Sequence, residues 1–214
     1  MLIEEILAID ILLEPDERML VQAETNNLRL REAFPDSFAL DAEHRPHITL
    51  FQCFVAAGDL VALCDAAGDV IRTANVTSME LRAVRYGYTP GPGMGVAGIW
   101  ADTTPELLKL QADVVAAAAP FMVPTATIEA FTASHGNPAF DAALIDYVSR
   151  FVTDGVGAKF DPHVSTGVAA IDYLDRMLAE PFVPFVFAPA SAAVYQLGPF
   201  GTAARLLKRW DLAG

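Results

Sequence analysis

The sequence is poor in cysteine, histidine and positive charge, and it has no long apolar run free of proline or charge. Cys53 and Cys64 are its two cysteines among 214 residues. No framework of spaced cysteines exists to staple a small secreted scaffold, so two free, buried thiols in a reducing compartment are expected. The longest apolar stretches, such as "VVAAAAPFMVP", contain proline and fall short of a bilayer span. The opening "MLIEEILAIDILLEP" puts Glu4, Glu5 and Asp10 where a signal peptide needs a basic segment and then an uncharged apolar one. A cytoplasmic protein with no membrane partner is expected. Lysine and arginine total 14 against 27 acidic residues, a formal net charge of −13. A surface this negative repels a phosphate polymer, which argues against long duplex nucleic acid as a partner. A small anionic ligand in a locally neutral or positive pocket is compatible with it. The cluster "GYTPGPGMG" matches no P-loop or dinucleotide fingerprint and reads as a connection between strands.

What is present is core-forming material. Hydrophobic residues make up 53% of the chain and charged ones 19%, enough to bury a core as one domain or two small lobes. Patterning predicts a strand over 5–13 closed by Pro15, a helix over 16–33, the strand "HITLFQCFV", a helix over 57–74 and a strand over 77–88. The second half opens with a strand over 96–102. A helix capped by Thr103 or Thr104 follows, running from Pro105 to Ala119. Then come an irregular segment 120–138, a helix over 139–152, the strand "HVSTGVA", a short helix over 171–179, a strand over 185–197 and a last strand. Both halves thus read strand, helix, histidine strand, helix, strand. Such a duplication of topology is expected to pack around an approximate two-fold axis.

Two of the four histidines open near-identical strands, "PHITLF" from Pro46 and "PHVSTGV" from Pro162. Side chains alternate between faces of a strand, so His47, Thr49 and Phe51 share one face and Ile48 and Leu50 the other. Likewise His163, Ser165 and Gly167 oppose Val164, Thr166 and Val168. One His-x-Thr at a strand end is most often a structural hydrogen-bonder. Two copies at corresponding places, each with proline before and a hydroxyl after, point to function. Histidine suits proton transfer in both directions near neutral pH, its unperturbed pKa being about 6.5.

These paired motifs, with the opening strand "LAIDILLEP" and the tail "VYQLGPFGTAARLLKRWDL", resemble the two-histidine (2H) phosphoesterase superfamily. That superfamily includes the bacterial 2′–5′ RNA ligase-like proteins and the cyclic nucleotide phosphodiesterases. The resemblance covers essentially the whole chain; Ser165 in place of threonine is a variation the pattern admits. It implies an α+β fold, a single bilobal domain over 1–214 of mainly antiparallel sheet with outer helices and a central cleft. The pseudo-symmetric lobes would lie at about 1–92 and 93–214, with strands free to exchange. It implies phosphodiester cleavage without metal or other cofactor, with His47 and His163 as general acid and base. Thr49 and Ser165 would hold the non-bridging oxygens. For opening a cyclic phosphate, His47 is taken as the acid and His163 as the base, although the motif's symmetry permits the reverse.

The implied substrate is a small nucleotide or RNA end carrying a cyclic phosphate or a 2′–5′ linkage, acted on by a monomer. The same site run in reverse would be an RNA ligase, and a module that binds nucleotides without turnover is the alternative of a different class. An aromatic wall for the organic moiety is expected from Phe51, Tyr86, Tyr88 or Tyr195, although aromatics in strands are usually core. His135, in the long insertion of the second half, reads as a surface-loop residue or as part of a lid. His44, three residues before His47, lacks a third ligand at a spacing that would make a metal site. Arg205, Lys208 and Arg209 read as solvated, with a terminal phosphate as their sharper use.

Overall fold

A computed structural model describes residues 4–91 and 93–211. Strand β1 (Ile6–Pro15) is apolar on both faces apart from Asp10 and Glu14, and all but its first residue are buried. Helix α1 (Glu17–Ala33) starts at Asp16, whose carboxylate accepts from the Met19 N–H, and it carries Glu17 in its first turn and Arg31 in its last. Strand β2 (Ile48–Ala56) leads through a short 3₁₀ turn into α2 (Leu60–Thr73). Strands β3 (Leu81–Pro90) and β4 (Met94–Ala101) form a hairpin across "GYTPGPGMG". Of the two candidate caps, Thr104 takes the Leu107 N–H and opens α3 (Pro105–Ala118). The remainder is β5 (Met122–Val123), α4 (Pro138–Ser149), α5 (Phe151–Asp154), β6 (His163–Ala170), α6 (Ile171–Leu178), β7 (Phe185–Phe187), β8 (Pro189–Leu197) and β9 (Ala203–Asp211).

Three expected boundaries move. The strand expected over 77–88 is displaced by a 3₁₀ turn at Val76–Ser78 that follows the left-handed Asn75. The strand expected over 185–197 breaks at Ala188. There Asp16 takes both backbone groups: its carboxylate accepts from the Ala188 N–H at 2.9 Å, and its own N–H donates to the Ala188 carbonyl at 2.8 Å. The helix expected over 139–152 is interrupted at Arg150.

The strands form one sheet in the order β7-β3-β4-β6-β2-β1-β8-β9, with β5 paired to the far end of β2. Two four-stranded groups meet in its middle, β7-β3-β4-β6 and β2-β1-β8-β9. They join at a single residue pair, Ile48 with Val164. The chain halves exchange strands in building them: β3 joins the second group, and β8 and β9 complete the first. Each group puts its histidine strand at the seam.

The main core lies between the sheet and helices α2 and α3, where Ile9, Ile11, Ile48, Leu50, Phe51 and Leu63 are fully buried. Each such side chain stabilises the fold by about 1.5–3 kcal/mol relative to exposure. Helices α1 and α6 cover β6 through Leu30, Leu174 and Met177. Cys53 and Cys64 are free and buried, and burial pushes the Cys53 thiol up to about 12. Among the described residues, no helix is long and apolar enough to cross a membrane.

Candidate active site

The seam pair fixes the geometry of the motifs. Positions flanking an antiparallel pair run in opposition, so Ile48 opposite Val164 sets His47 across from Ser165 and Thr49 across from His163. Each histidine therefore stands opposite the hydroxyl of the other copy. His47, Thr49, His163 and Ser165 all line one cavity of about 220 Å³.

The two imidazoles are held alike. His47 Nδ1 donates to the carbonyl of Arg45 at 2.6 Å, and His163 Nδ1 donates to that of Asp161 at 2.8 Å. In each case the carbonyl lies two residues back, across the proline. A carbonyl can only accept, so each Nδ1 carries the proton and each Nε2 is the nitrogen left to accept or donate one.

Their electrostatic settings differ. His47 Nε2 lies 3.3 Å from Oδ2 of Asp10, which is fully buried in β1. Burial opposes charge on this ring, but the hydrogen bond and charge of Asp10 outweigh it and hold the pKa above its ordinary 6.5. His163 stacks on the Trp100 indole, with centroids 4.4 Å apart and planes 12° from parallel. Burial pushes its pKa below 6.5. The Asp161 carbonyl opposes that shift, and the charges of His47 and Arg85 reinforce it. Arg85 lies over the other part of this stack, 5.1 Å from the Trp100 ring. Gly87 gives the indole its place: a Cβ there would come within 2.5 Å of the Trp100 ring.

The hydroxyls also differ. Thr49 Oγ1 donates to Asp10 Oδ2 at 2.7 Å, and Gln52 Nε2 donates to the same oxygen at 2.9 Å. Ser165 Oγ makes no such bond to another described residue, so its proton is free for a ligand. Asp10 and Gln52 are the members that reading by motif missed. The signal for Asp10 was there, as a lone carboxylate inside the apolar run "ILAIDILL".

Gln52 displaces Phe51 from the site through a β-bulge. Ile11 pairs with Phe51 and Leu12 with Thr49, so Leu50 is an extra residue that reverses the alternation after Thr49. Phe51 consequently turns into the core, edge-on to Phe151 at 5.9 Å. The other copy repeats the device: Ala97 pairs with Gly167 and Gly98 with Ser165, leaving Thr166 extra. An amide from a helix holds each bulge. Gln111 of α3 donates to the Leu50 carbonyl at 3.1 Å, and Asn27 of α1 donates to the Thr166 carbonyl at 2.7 Å.

The other expected aromatics do not line the cavity either. Tyr86 packs edge-on to Phe182 under the Arg29 guanidinium, and Tyr88 donates to Asp175. Tyr195 is buried beside Leu12 and Ala203, and its hydroxyl donates to Glu14 at 2.7 Å. Arg209 is bound to the same carboxylate at 2.6 Å, and Arg205 and Lys208 are exposed. His135 does line the cavity, with Phe140 and Phe200. His44 donates to Asp41 at 2.8 Å and stacks on Phe38. Among the described residues, no three His, Cys, Asp or Glu side chains gather as a metal site.

No family model matches the sequence, and no curated protein matches it. Solved structures do. TT0787 of Thermus thermophilus aligns over 97% of this chain and 99% of its own, at 17% identity and a TM-score of 0.50. LigT of E. coli, solved in complex with 3′-AMP, aligns over 98% of this chain and 99% of its own, at 15% identity and a TM-score of 0.50. Identities this low speak to architecture alone, and on that evidence the chain has, over nearly its whole length, the LigT-like fold of the two-histidine phosphoesterases.

Proposed function

We propose that the protein is a two-histidine phosphoesterase that hydrolyses a cyclic phosphate or a 2′–5′ phosphodiester of a small nucleotide or RNA end. The observation that carries this reading is the opposed polarisation of two imidazoles on one cavity, each with Nδ1 tied to a carbonyl. A pair of titratable groups whose settings drive their pKa values apart is the arrangement that acid–base catalysis needs. His47, held above its ordinary pKa beside Asp10, is the acid; His163, held below it on Trp100, is the base.

In this mechanism water enters on the His163 side of the phosphorus and gives its proton to His163 Nε2 as the new P–O bond forms. The ester oxygen leaves on the other side and takes a proton from His47 Nε2. Ser165 Oγ donates to a non-bridging oxygen, where charge grows. Thr49 has one proton, committed to Asp10, so its main task is to fix that carboxylate against His47. LigT, which shares the fold, was solved with 3′-AMP, a nucleoside monophosphate of the size proposed. The reading assigns no step to a metal.

The test is turnover of 2′,3′-cyclic nucleotides and 2′–5′ dinucleotides in the presence of a chelator. Wild type is expected to hydrolyse at least one, and His47→Ala and His163→Ala are each expected to lose on the order of 10²–10⁴ in kcat. Full activity in either variant would overturn the reading.

A further inference from the structure

The cavity that holds the histidines has an aromatic and apolar wall. Above the polar floor its wall comprises His135, Phe140, Leu144, Tyr147, Phe200 and Met94. Among the described residues no lysine, arginine, aspartate or glutamate side chain lines it. The His135 ring centre lies 4.6 Å from that of Phe140 and 4.6 Å from that of Phe200.

These rings are held in place. The His135 backbone N–H donates to Asp141 Oδ1 at 2.9 Å, and the Ser134 hydroxyl donates to the other oxygen of the same carboxylate. Phe200 has a left-handed backbone, with φ of 61°, between Pro199 and Gly201. A β-carbon disfavours that conformation, and residues held in it cluster at ligand sites. His135 Nδ1 is buried with no partner.

Resting on the phosphoesterase reading, we propose that this wall is the subsite that selects the substrate. It accepts an uncharged planar ring, a nucleobase or another flat aromatic group, carried on the phosphate ester. It rejects a second anionic group there. An anion seated on this wall would lose its water and meet no cation, whereas a ring gains apolar and aromatic contact. The His135 ring, beside Phe140 and Phe200, adds a further aromatic surface to that contact. Space is sufficient, since an apolar cavity of about 150 Å³ already binds benzene.

The test is calorimetric binding of inorganic phosphate, phenyl phosphate, 4-carboxyphenyl phosphate and 3′-AMP to the whole protein. Phenyl phosphate is expected to bind at least about tenfold more tightly than inorganic phosphate, and the carboxylated ring is expected to forfeit that gain. Phe140→Ala and His135→Ala are each expected to shrink the preference for the ring several-fold while shifting inorganic phosphate less than about twofold. If 3′-AMP matches or exceeds phenyl phosphate, the ring is a nucleobase; weaker binding assigns a smaller aryl group. The inference is overturned if phenyl phosphate gains nothing over phosphate, if the carboxylated ring binds equally well, or if both variants keep the full preference. If no phosphate probe binds, the phosphoesterase reading fails and takes this inference with it. A ring preference without turnover of any diester leaves the subsite standing and removes catalysis alone.

Discussion

In the proposed mechanism, Asp10 decides which histidine is the acid. Its carboxylate is fully buried and accepts from Thr49 and Gln52, and it stands 3.3 Å from His47 Nε2. Replacing it by asparagine removes the charge that outweighs burial at His47. In kcat/KM the acid must be protonated, so activity falls as pH rises through the His47 pKa; the base must be neutral, so activity falls as pH drops through that of His163. Asp10→Asn is therefore expected to move the high-pH limb to lower pH and to leave the low-pH limb in place. A pH–rate profile checks this, and an unmoved upper limb would remove Asp10 from the machinery. At this scale the paired motif was legible, because proline, histidine and hydroxyl recur at fixed spacing. The roles of Phe51, Tyr86 and Tyr195 were not, because an aromatic in a strand shows its partner only once the strand has its register.

The elements owe their aim to two bulges. Leu50 and Thr166 each shift the alternation one residue after the motif hydroxyl, and each is fastened by a helix amide. Period-two reading of "HITLFQ" puts Phe51 in the site; the extra residue puts Gln52 there instead. Sequence patterning carried the helices and most strands well, since caps such as Asp16 and Thr104 are local signals. A bulge is set by what crosses the fold to hold it, here Asn27 and Gln111, and no local signal marks it. Asn27 donates to the carbonyls of Phe38 and Thr166. Asn27→Ala leaves both without that donor, which is expected to cost about 1–3 kcal/mol and to lower the melting temperature by on the order of 5 °C. Thermal denaturation followed by circular dichroism checks this, and kcat is expected to fall with it as His163 and Ser165 lose their register.

Across the whole molecule, charge and topology act together. The fold joins two strand groups at the Ile48–Val164 pair and sets the His47 and His163 rings about that seam, inside a protein of net charge −13. The duplication was legible because both halves repeat one order of elements; that strands could exchange was expected, but which ones do, β3, β8 and β9, was not legible, since it depends on pairing far apart in sequence. A negative field slows the approach of an anionic substrate, and salt screens that field. Raising ionic strength from about 10 mM to about 0.15 M is therefore expected to raise kcat/KM for a nucleotide substrate, the reverse of the trend for a basic nucleic-acid enzyme. Stopped-flow or initial-rate measurement across that range checks the sign.

The most direct test of the central claim, that both imidazoles act on one phosphorus, is an NMR titration of the histidine ring nitrogens with and without inorganic phosphate. Expected are a His47 ring that titrates above 6.5, a His163 ring that titrates below it, and phosphate-induced shifts in both that follow a single saturation curve. Two rings that titrate together, or a phosphate response confined to one of them, would contradict it.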